Sequence, residues 1–231
     1  MSNYLRGLKD GLPVGLGYFS VSFAFGVAAV QSGLSVFTAV MISLTNLTSA
    51  GQLAGLSVIA AAGSLIEMAV TQLVINLRYA LMSISLSQKL DSSVRAGDRF
   101  LMSFGITDEN FAIAVAQKGT VTASYFYGLM TLPILCWTGG TLIGAAAGSI
   151  LPASVLSALG VAIYGMFVAI ILPAAKRSMA VAGVALGAAA LACCFEWVPV
   201  LNRVSGGFAI IICAVIAAAV GALLRPVEDE A

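Results

Sequence analysis

Long stretches of this chain carry no charge. No Asp, Glu, Lys or Arg occurs in residues 11–66, 56 positions, or in residues 119–175, 57 positions. Two shorter uncharged runs cover 178–195 and 204–224. A helix needs about 20 apolar residues to cross a hydrocarbon core of ~30 Å at ~1.5 Å per residue. Each long run therefore holds two spans and each short run holds one.

Read in order, the predicted spans are 12–32, 34–60, 64–86, 121–149, 154–175, 178–195 and 205–224. Gln31-Ser32-Gly33 divides the first two, and the third contains Glu67 and Arg78. Residues 87–107 form the longest polar segment. Within it Leu90, Val94, Leu101 and Phe104 recur at helical spacing among charged residues, which predicts an interfacial helix. Thr107-Asp108-Glu109 has the form of a helix N-terminus, a capping residue followed by acids. The apolar stretch after it reaches only to Lys118, so it predicts a half-helix or a re-entrant segment rather than a span.

The expected architecture is an all-α, polytopic transmembrane bundle of about seven spans in one domain, residues 1–231. Each long uncharged run is a hairpin followed by one more span, so three spans plus three would form an inverted repeat with broken helices, an organisation common in secondary transporters. Placing 87–120, 176–177 and the C-terminus in the cytoplasm puts Lys89, Arg95, Arg99, Lys118, Lys176, Arg177 and Arg225 inside. Arg6, Lys9 and Arg203 are then outside, and the positive-inside bias favours that arrangement, with the N-terminus outside.

Composition agrees with the pattern. Hydrophobic residues make up 60% and charged residues 9%, against about 25% charged in soluble domains. The net charge is +1 with no basic cluster for nucleic acid. Cys136, Cys193, Cys194 and Cys213 lie in apolar stretches without metal-ligand spacing and read as packing residues. There is no histidine, which removes His-zinc and Ser-His chemistry, and no Walker-A sequence. No cofactor or enzymatic reaction is expected.

The chemistry therefore rests on polar residues inside spans. Arg78 lies near the middle of its span, where a charge costs at least ~2.5–3.5 kcal/mol and marks function by default. At ~100° per residue Glu67, Thr71, Arg78 and Ser85 share one face, and Gln72, Asn76, Tyr79 and Ser83 share the opposite one. A helix polar on two faces is expected at the centre of the bundle. Glu67 is eleven residues from Arg78, ~16 Å along the axis, too far to pair. Asp108, Glu109 or a substrate carboxylate remain as partners.

A second site is Asn46-Leu47-Thr48-Ser49-Ala50-Gly51-Gln52, a polar patch inside an uncharged span. A discontinuous helix would expose backbone groups there. Alternatively, Gly51 and Gly55 form a small-residue packing face. Gly140, Gly144 and Gly148, and Gly183 with Gly187, form further small-residue ridges. The candidate substrate-binding residues are Arg78, Asn76, Ser49, Gly51 and Gln52. Without histidine, ion coupling would fall to the carboxylates Glu67, Asp108 and Glu109.

Gly7-Leu8-Lys9-Asp10-Gly11-Leu12-Pro13, Gly26 with Gly33-Leu34-Ser35, Ser49-Ala50-Gly51-Gln52, Asn76-Leu77-Arg78-Tyr79 and Thr107-Asp108-Glu109-Asn110-Phe111 resemble the AzlC family. The likeness covers the whole chain, with its distinctive motifs in the first half. The patch Leu47-Thr48-Ser49-Ala50-Gly51-Gln52 departs from the family's more aromatic version. The resemblance implies export of branched-chain amino acids, with methionine or analogues as further substrates, across the inner membrane. It also implies a small AzlD-type membrane subunit as partner. A channel and a non-transporting assembly subunit are the rival readings.

Overall fold

The structure is a computed structural model that describes residues 2–148 and 178–224, together with positions 152, 154, 168, 172, 175 and 176. The expected span 154–175, and Arg177 and Arg225, lie outside the described residues.

Helices α1 (Asn3–Gln31), α2 (Val36–Thr45), α3 (Ser49–Ala60), α4 (Leu65–Ser87) and α5 (Ala96–Phe104) lead into α6 (Asp108–Ala116) and α7 (Ala123–Gly148). After the undescribed stretch come α8 (Met179–Trp197), a 3-10 turn (Leu201–Arg203) and α9 (Gly206–Leu224). Among the described residues there is no strand, only a bridge between Leu90 and Val121. The chain is all-helical, and α1, α4, α7, α8 and α9 are long and apolar enough to cross a membrane. Contacts divide the chain into two compact units, Met1–Leu53 with Asn76–Ile163 and Ala54–Ile75 with Tyr164–Ala231.

The first unit is built on α1 and α7. Gly7, Gly11 and Gly15 recur every fourth residue, one turn apart, and present a strip of bare backbone. A Cβ at Gly7 would collide with the Tyr125 carbonyl, and one at Gly11 with the Leu129 carbonyl. From the other side, Gly128 meets Tyr4, Gly140 meets Phe19 and Gly144 meets Phe23. Small residues on both helices let the two backbones touch, the packing mode that holds helices together in lipid. Residue numbers rise together along the contact, from Gly7 at Tyr125 to Gly26 at Thr141, so α1 and α7 run parallel. The expected ridge of Gly140, Gly144 and Gly148 thus has a partner in α1, whereas a Cβ at Gly183 or Gly187 meets nothing within 4 Å among the described residues.

This register corrects the expected topology. Asn3 Nδ2 donates to Thr122 Oγ1 at 3.3 Å, and Val121 exchanges backbone hydrogen bonds of 2.9 Å with Lys89 and Asp91. Leu86 packs in the same core cluster as Val121, Tyr125 and Phe126. The N-terminus and the loop after α4 therefore lie at one end of the α1–α7 pair, not on opposite sides. Three crossings between Asn3 and Ser87, as expected from the charge-free runs, would have put them at opposite ends.

The reason lies in the second expected span. Residues 34–60 split into α2 and α3 at Asn46, which is extended (φ −145°, ψ 117°). Asn46 Oδ1 accepts from the backbone N–H of Thr48 at 3.1 Å, a local turn that competes with helix continuation. If α3 ran straight on, Gln52 would lie roughly 13.5 Å beyond Ser43 along the axis. Instead Gln52 Nε2 donates to Ser43 Oγ at 3.0 Å, so the chain turns back at the break.

Two other expectations change. The 87–107 segment is not one interfacial helix: only Ala96–Phe104 is helical. Before it, hydrogen bonds from the Ser93 side chain and backbone and from Thr120 to Asp91 order the loop and hold that carboxyl below its usual range. Helix α4 is not enclosed on all sides either. Between its two polar faces runs a third, apolar one, on which Leu73, Leu77, Leu81 and Ile84 are 59–69% exposed.

In the second unit α8 packs on α9, and the Glu67 carboxylate accepts from the Gly207 backbone N–H at 3.0 Å, at the start of α9. Cys213 is buried, but Cys193 and Cys194 are exposed on α8 rather than packed.

The corrected topology has a direct test. In a background with Cys136, Cys193, Cys194 and Cys213 replaced, cysteines placed at Ser2 and at Ser92 should react with a membrane-impermeant thiol reagent from the same side. Labelling from opposite sides would restore the three-crossing arrangement.

Candidate functional site

Three helices of the first unit bring polar side chains to their midpoints. Tyr18 on α1, Trp137 on α7 and Arg78 on α4 each lie within two residues of the centre of their helix, ~3 Å by helix rise. Tyr and Trp are ordinarily enriched at membrane interfaces, so their placement at mid-depth is itself informative. The ring centroids of Tyr18 and Trp137 are 5.2 Å apart, edge to face.

Helix α6 supplies the acids. Thr107 caps it, accepting from the Asn110 backbone N–H at 3.3 Å, and the Asn110 side chain donates to the Gly105 carbonyl at 2.9 Å. The first turn is thereby fixed, with Asp108 and Glu109 at the positive end of the helix dipole. Its nine residues are far short of a span, as expected. Its N-terminus meets Tyr18 at mid-depth. Its C-terminus reaches the end that carries Asn3, where Gln117 donates to the Tyr125 hydroxyl at 2.7 Å and Tyr125 to Asp10 at 2.8 Å. Arg78 Nη1 pairs with Asp108 at 2.9 Å, one of its three candidate partners. The guanidinium also lies 5.1 Å from the Tyr79 ring centroid and 3.4 Å from its hydroxyl. Glu109 takes a different partner and accepts from the Tyr18 hydroxyl.

The break between α2 and α3 meets the same region. Trp137 Nε1 donates to the Asn46 carbonyl at 3.2 Å, and Gln52 Nε2 donates to that carbonyl at 2.9 Å. Beyond Gln52 a chain of hydroxyls runs through Ser43 and Thr141, 2.7 Å apart, to the Ser22 carbonyl at 3.3 Å. Gly51 is buried in the first turn of α3, its N–H donating to Thr48 Oγ1 at 3.3 Å, and Ser49 opens the helix, half-buried. The site is thus buried around Gln52, Ser43 and Thr141 and open around Arg78 and Asp108, whose side chains are 47% and 42% exposed.

Of the eight candidate residues, Arg78, Asp108, Glu109, Ser49, Gly51 and Gln52 lie on the segments that meet at mid-depth. Asn76, two residues before Arg78 on α4, points to the other side of that helix. Glu67 belongs to the second unit and is buried against the start of α9. Gly55 packs as the small-residue reading expected, a Cβ there lying 3.2 Å from Gln72 Nε2. Tyr18, Trp137, Ser43, Thr141 and Ser22 were missed from sequence. The available signal was the polar-tipped aromatics at the centres of spans.

The arrangement joins a cation–carboxylate pair, a second acid and two interrupted helix segments at mid-depth. If Arg78 serves a transported carboxylate, Arg78→Ala should leave the detergent-solubilised protein folded. Its stability should fall by on the order of 1 kcal/mol, the scale for a half-exposed pair. Transport should be lost, and Arg78→Lys should not recover it, because lysine lacks the planar fork. Instability of Arg78→Ala that is relieved by adding Asp108→Asn, with transport restored, would make the arginine a brace instead.

A family model described as AzlC protein matches residues 13–151. The inner membrane protein YgaZ of Escherichia coli (strain K12) is 30% identical over 239 residues, covering 99% of this chain and 95% of that protein. An uncharacterized membrane protein of Archaeoglobus fulgidus is 34% identical over 193 residues, 82% of this chain and 84% of that one. An uncharacterized membrane protein of Helicobacter pylori (strain J99) is 26% identical over 157 residues, 64% of this chain and 68% of that one. No solved structure matches the chain.

Proposed function

Because the chain belongs to the AzlC family, we propose that it is the large subunit of a two-component secondary transporter that exports branched-chain amino acids across the cytoplasmic membrane, with methionine as a further substrate. The observation that carries the reading is the mid-depth meeting of α6, the α2–α3 break and Arg78. Backbone that leaves helical geometry at membrane depth is tolerated where it is covered by protein or lines a water-filled cavity. Broken helices at that depth are where secondary transporters hold substrates and ions.

The roles follow from the chemistry. The Arg78 guanidinium exchanges Asp108 for the substrate carboxylate, both being planar two-oxygen acceptors. Ser49 and Gly51 contribute the backbone of the first turn of α3, whose positive end favours the same carboxylate. Asp108, released from Arg78, and Glu109, held by Tyr18, are the coupling acids, and no cofactor or catalytic step enters. Arg6, Lys9, Lys89, Arg95, Arg99 and Lys118 all belong to segments at one end of the α1–α7 pair, and the positive-inside bias assigns that end to the cytoplasm. The partner is a small AzlD-type membrane subunit.

Vesicle transport of a labelled amino-acid panel, with and without the co-expressed small subunit, tests this directly. Saturable leucine, isoleucine and valine flux that needs both chains and collapses with an ionophore is the expected result. Flux unaffected by the ionophore would make the protein a channel. Absence of flux under every condition, with the complex intact, would leave it an assembly subunit.

A further inference from the structure

The carboxamide of Gln52 is only 2% exposed, and both of its N–H groups are committed, one to the Asn46 carbonyl at 2.9 Å and the other to Ser43 Oγ at 3.0 Å. Its Oε1 has no hydrogen-bond partner among the described residues. Turning the amide over does not relieve this. The Asn46 carbonyl can only accept, so a flipped Gln52 would set two acceptor oxygens against each other. The orientation is fixed from the far side as well. Thr141 gives its only proton to the Ser22 carbonyl, so Ser43 donates to Thr141 and receives from Gln52.

The result is a buried acceptor held in one direction at mid-depth. An amide oxygen left unpaired in a low-dielectric site costs ~1–3 kcal/mol, so such a group ordinarily has a partner. The groups around it restrict the partner's chemistry. The last carbonyls of α2 end at this break, and they form the negative end of that helix dipole. Asn46 O, Ser43 Oγ and Thr141 Oγ1 are neutral oxygens, and none of these groups carries a charge. An anion at Oε1 would face the lone pairs of the amide oxygen itself. A divalent cation would lack the carboxylates it needs. A small monovalent cation suits neutral oxygens at the negative end of a helix.

From this geometry we infer that the α2–α3 break is a binding site for a small monocation, with Gln52 Oε1 as its fixed ligand. Two sources supply that chemistry, a free alkali ion and the ammonium group of the amino acid. The second rests on the transport reading given above, and the first does not.

The test is the thermal stability of the full-length protein in detergent with single probes: sodium chloride, methylammonium chloride, choline chloride as a cation too large to enter, leucine, and 4-methylpentanoate as leucine without its ammonium. A shift with sodium but not choline assigns the site to an alkali ion. A shift with leucine and methylammonium, absent with 4-methylpentanoate, assigns it to the ammonium. Either shift should vanish in Gln52→Lys, whose tethered ammonium keeps N–H donors toward Asn46 and Ser43 and occupies the site itself. Gln52→Met, of similar length without the oxygen, is the second variant should the lysine protein not fold, and it should also lose the shift.

Two results would overturn the inference. One is a wild-type protein that responds to none of the cations or to leucine, which would leave Oε1 to a resident water. The other is a shift of equal size in wild type and in both variants. Sodium, methylammonium and leucine responses that all persist unchanged in the variants would sink the cation site and leave the transport reading standing. A sodium response confined to wild type, with no response to any amino acid, would do the reverse.

Discussion

The contact that the rest of the first unit depends on is the approach of α1 to α7 through glycine on both sides. In lipid there is no hydrophobic gain from joining two apolar helices, so their association rests on close packing. Gly7, Gly11 and Gly15 on one helix, and Gly128, Gly140 and Gly144 on the other, leave the backbones in contact along most of their length. That contact fixes the register residue by residue. With Gly15 set beside Leu132 and Gly140 beside Phe19, Tyr18 and Trp137 have to meet. The same register ties Asn3 to Thr122 and so decides which loops share an end.

On this rigid pair hang two segments that do not follow the helical pattern of the spans. Helix α6 stops at nine residues, and α2 gives way at Asn46. Unpaired backbone at membrane depth costs several kcal/mol per group, so each interruption must be compensated. Asn46 is served by Trp137 and Gln52, and Thr107 and Asn110 secure the start of α6. The compensating side chains come from the α1–α7 pair or from within the interrupted segment itself. The half-helices are therefore anchored to the α1–α7 pair at the level of Tyr18 and Trp137.

Much of this could be read from the sequence, and the parts that could not share a cause. The gaps in charge placed α1, α4, α7, α8 and α9 to within a few residues, except that α1 begins at Asn3, where its three charges lie beyond the apolar stretch. A broken helix was one of two readings of the polar insertion around Asn46, and the structure shows it, while Thr107-Asp108-Glu109 announced the cap and held one of the candidate partners of Arg78. Counting crossings failed because hydropathy does not distinguish an apolar stretch that spans from one that turns back. That difference is made by one asparagine turn and one hydrogen bond across it, from Gln52 to Ser43. The hydroxyls of Ser43 and Thr141, and the Ser22 carbonyl they lead to, were invisible for a related reason. Single serines and threonines are common in membrane helices, and only the fold brings these groups into line. Glu67 was grouped with Asp108 and Glu109 as a coupling carboxylate, yet it accepts from the Gly207 backbone N–H at the start of α9.

The central claim is that the mid-depth meeting point of α6, the α2–α3 break and Arg78 receives an amino acid. Ser49 lies half-buried at the first turn of α3, and a cysteine there reports occupancy without removing any charged group of the site. In membranes carrying the chain with its small subunit, the alkylation rate of Ser49→Cys in the cysteine-free background should fall several-fold as leucine is added. The rate at Gly17→Cys, a position with nothing within 4 Å of its Cβ, should not change. Equal rates at residue 49 with and without leucine, isoleucine, valine or methionine, in a complex that still transports them, would place the substrate elsewhere.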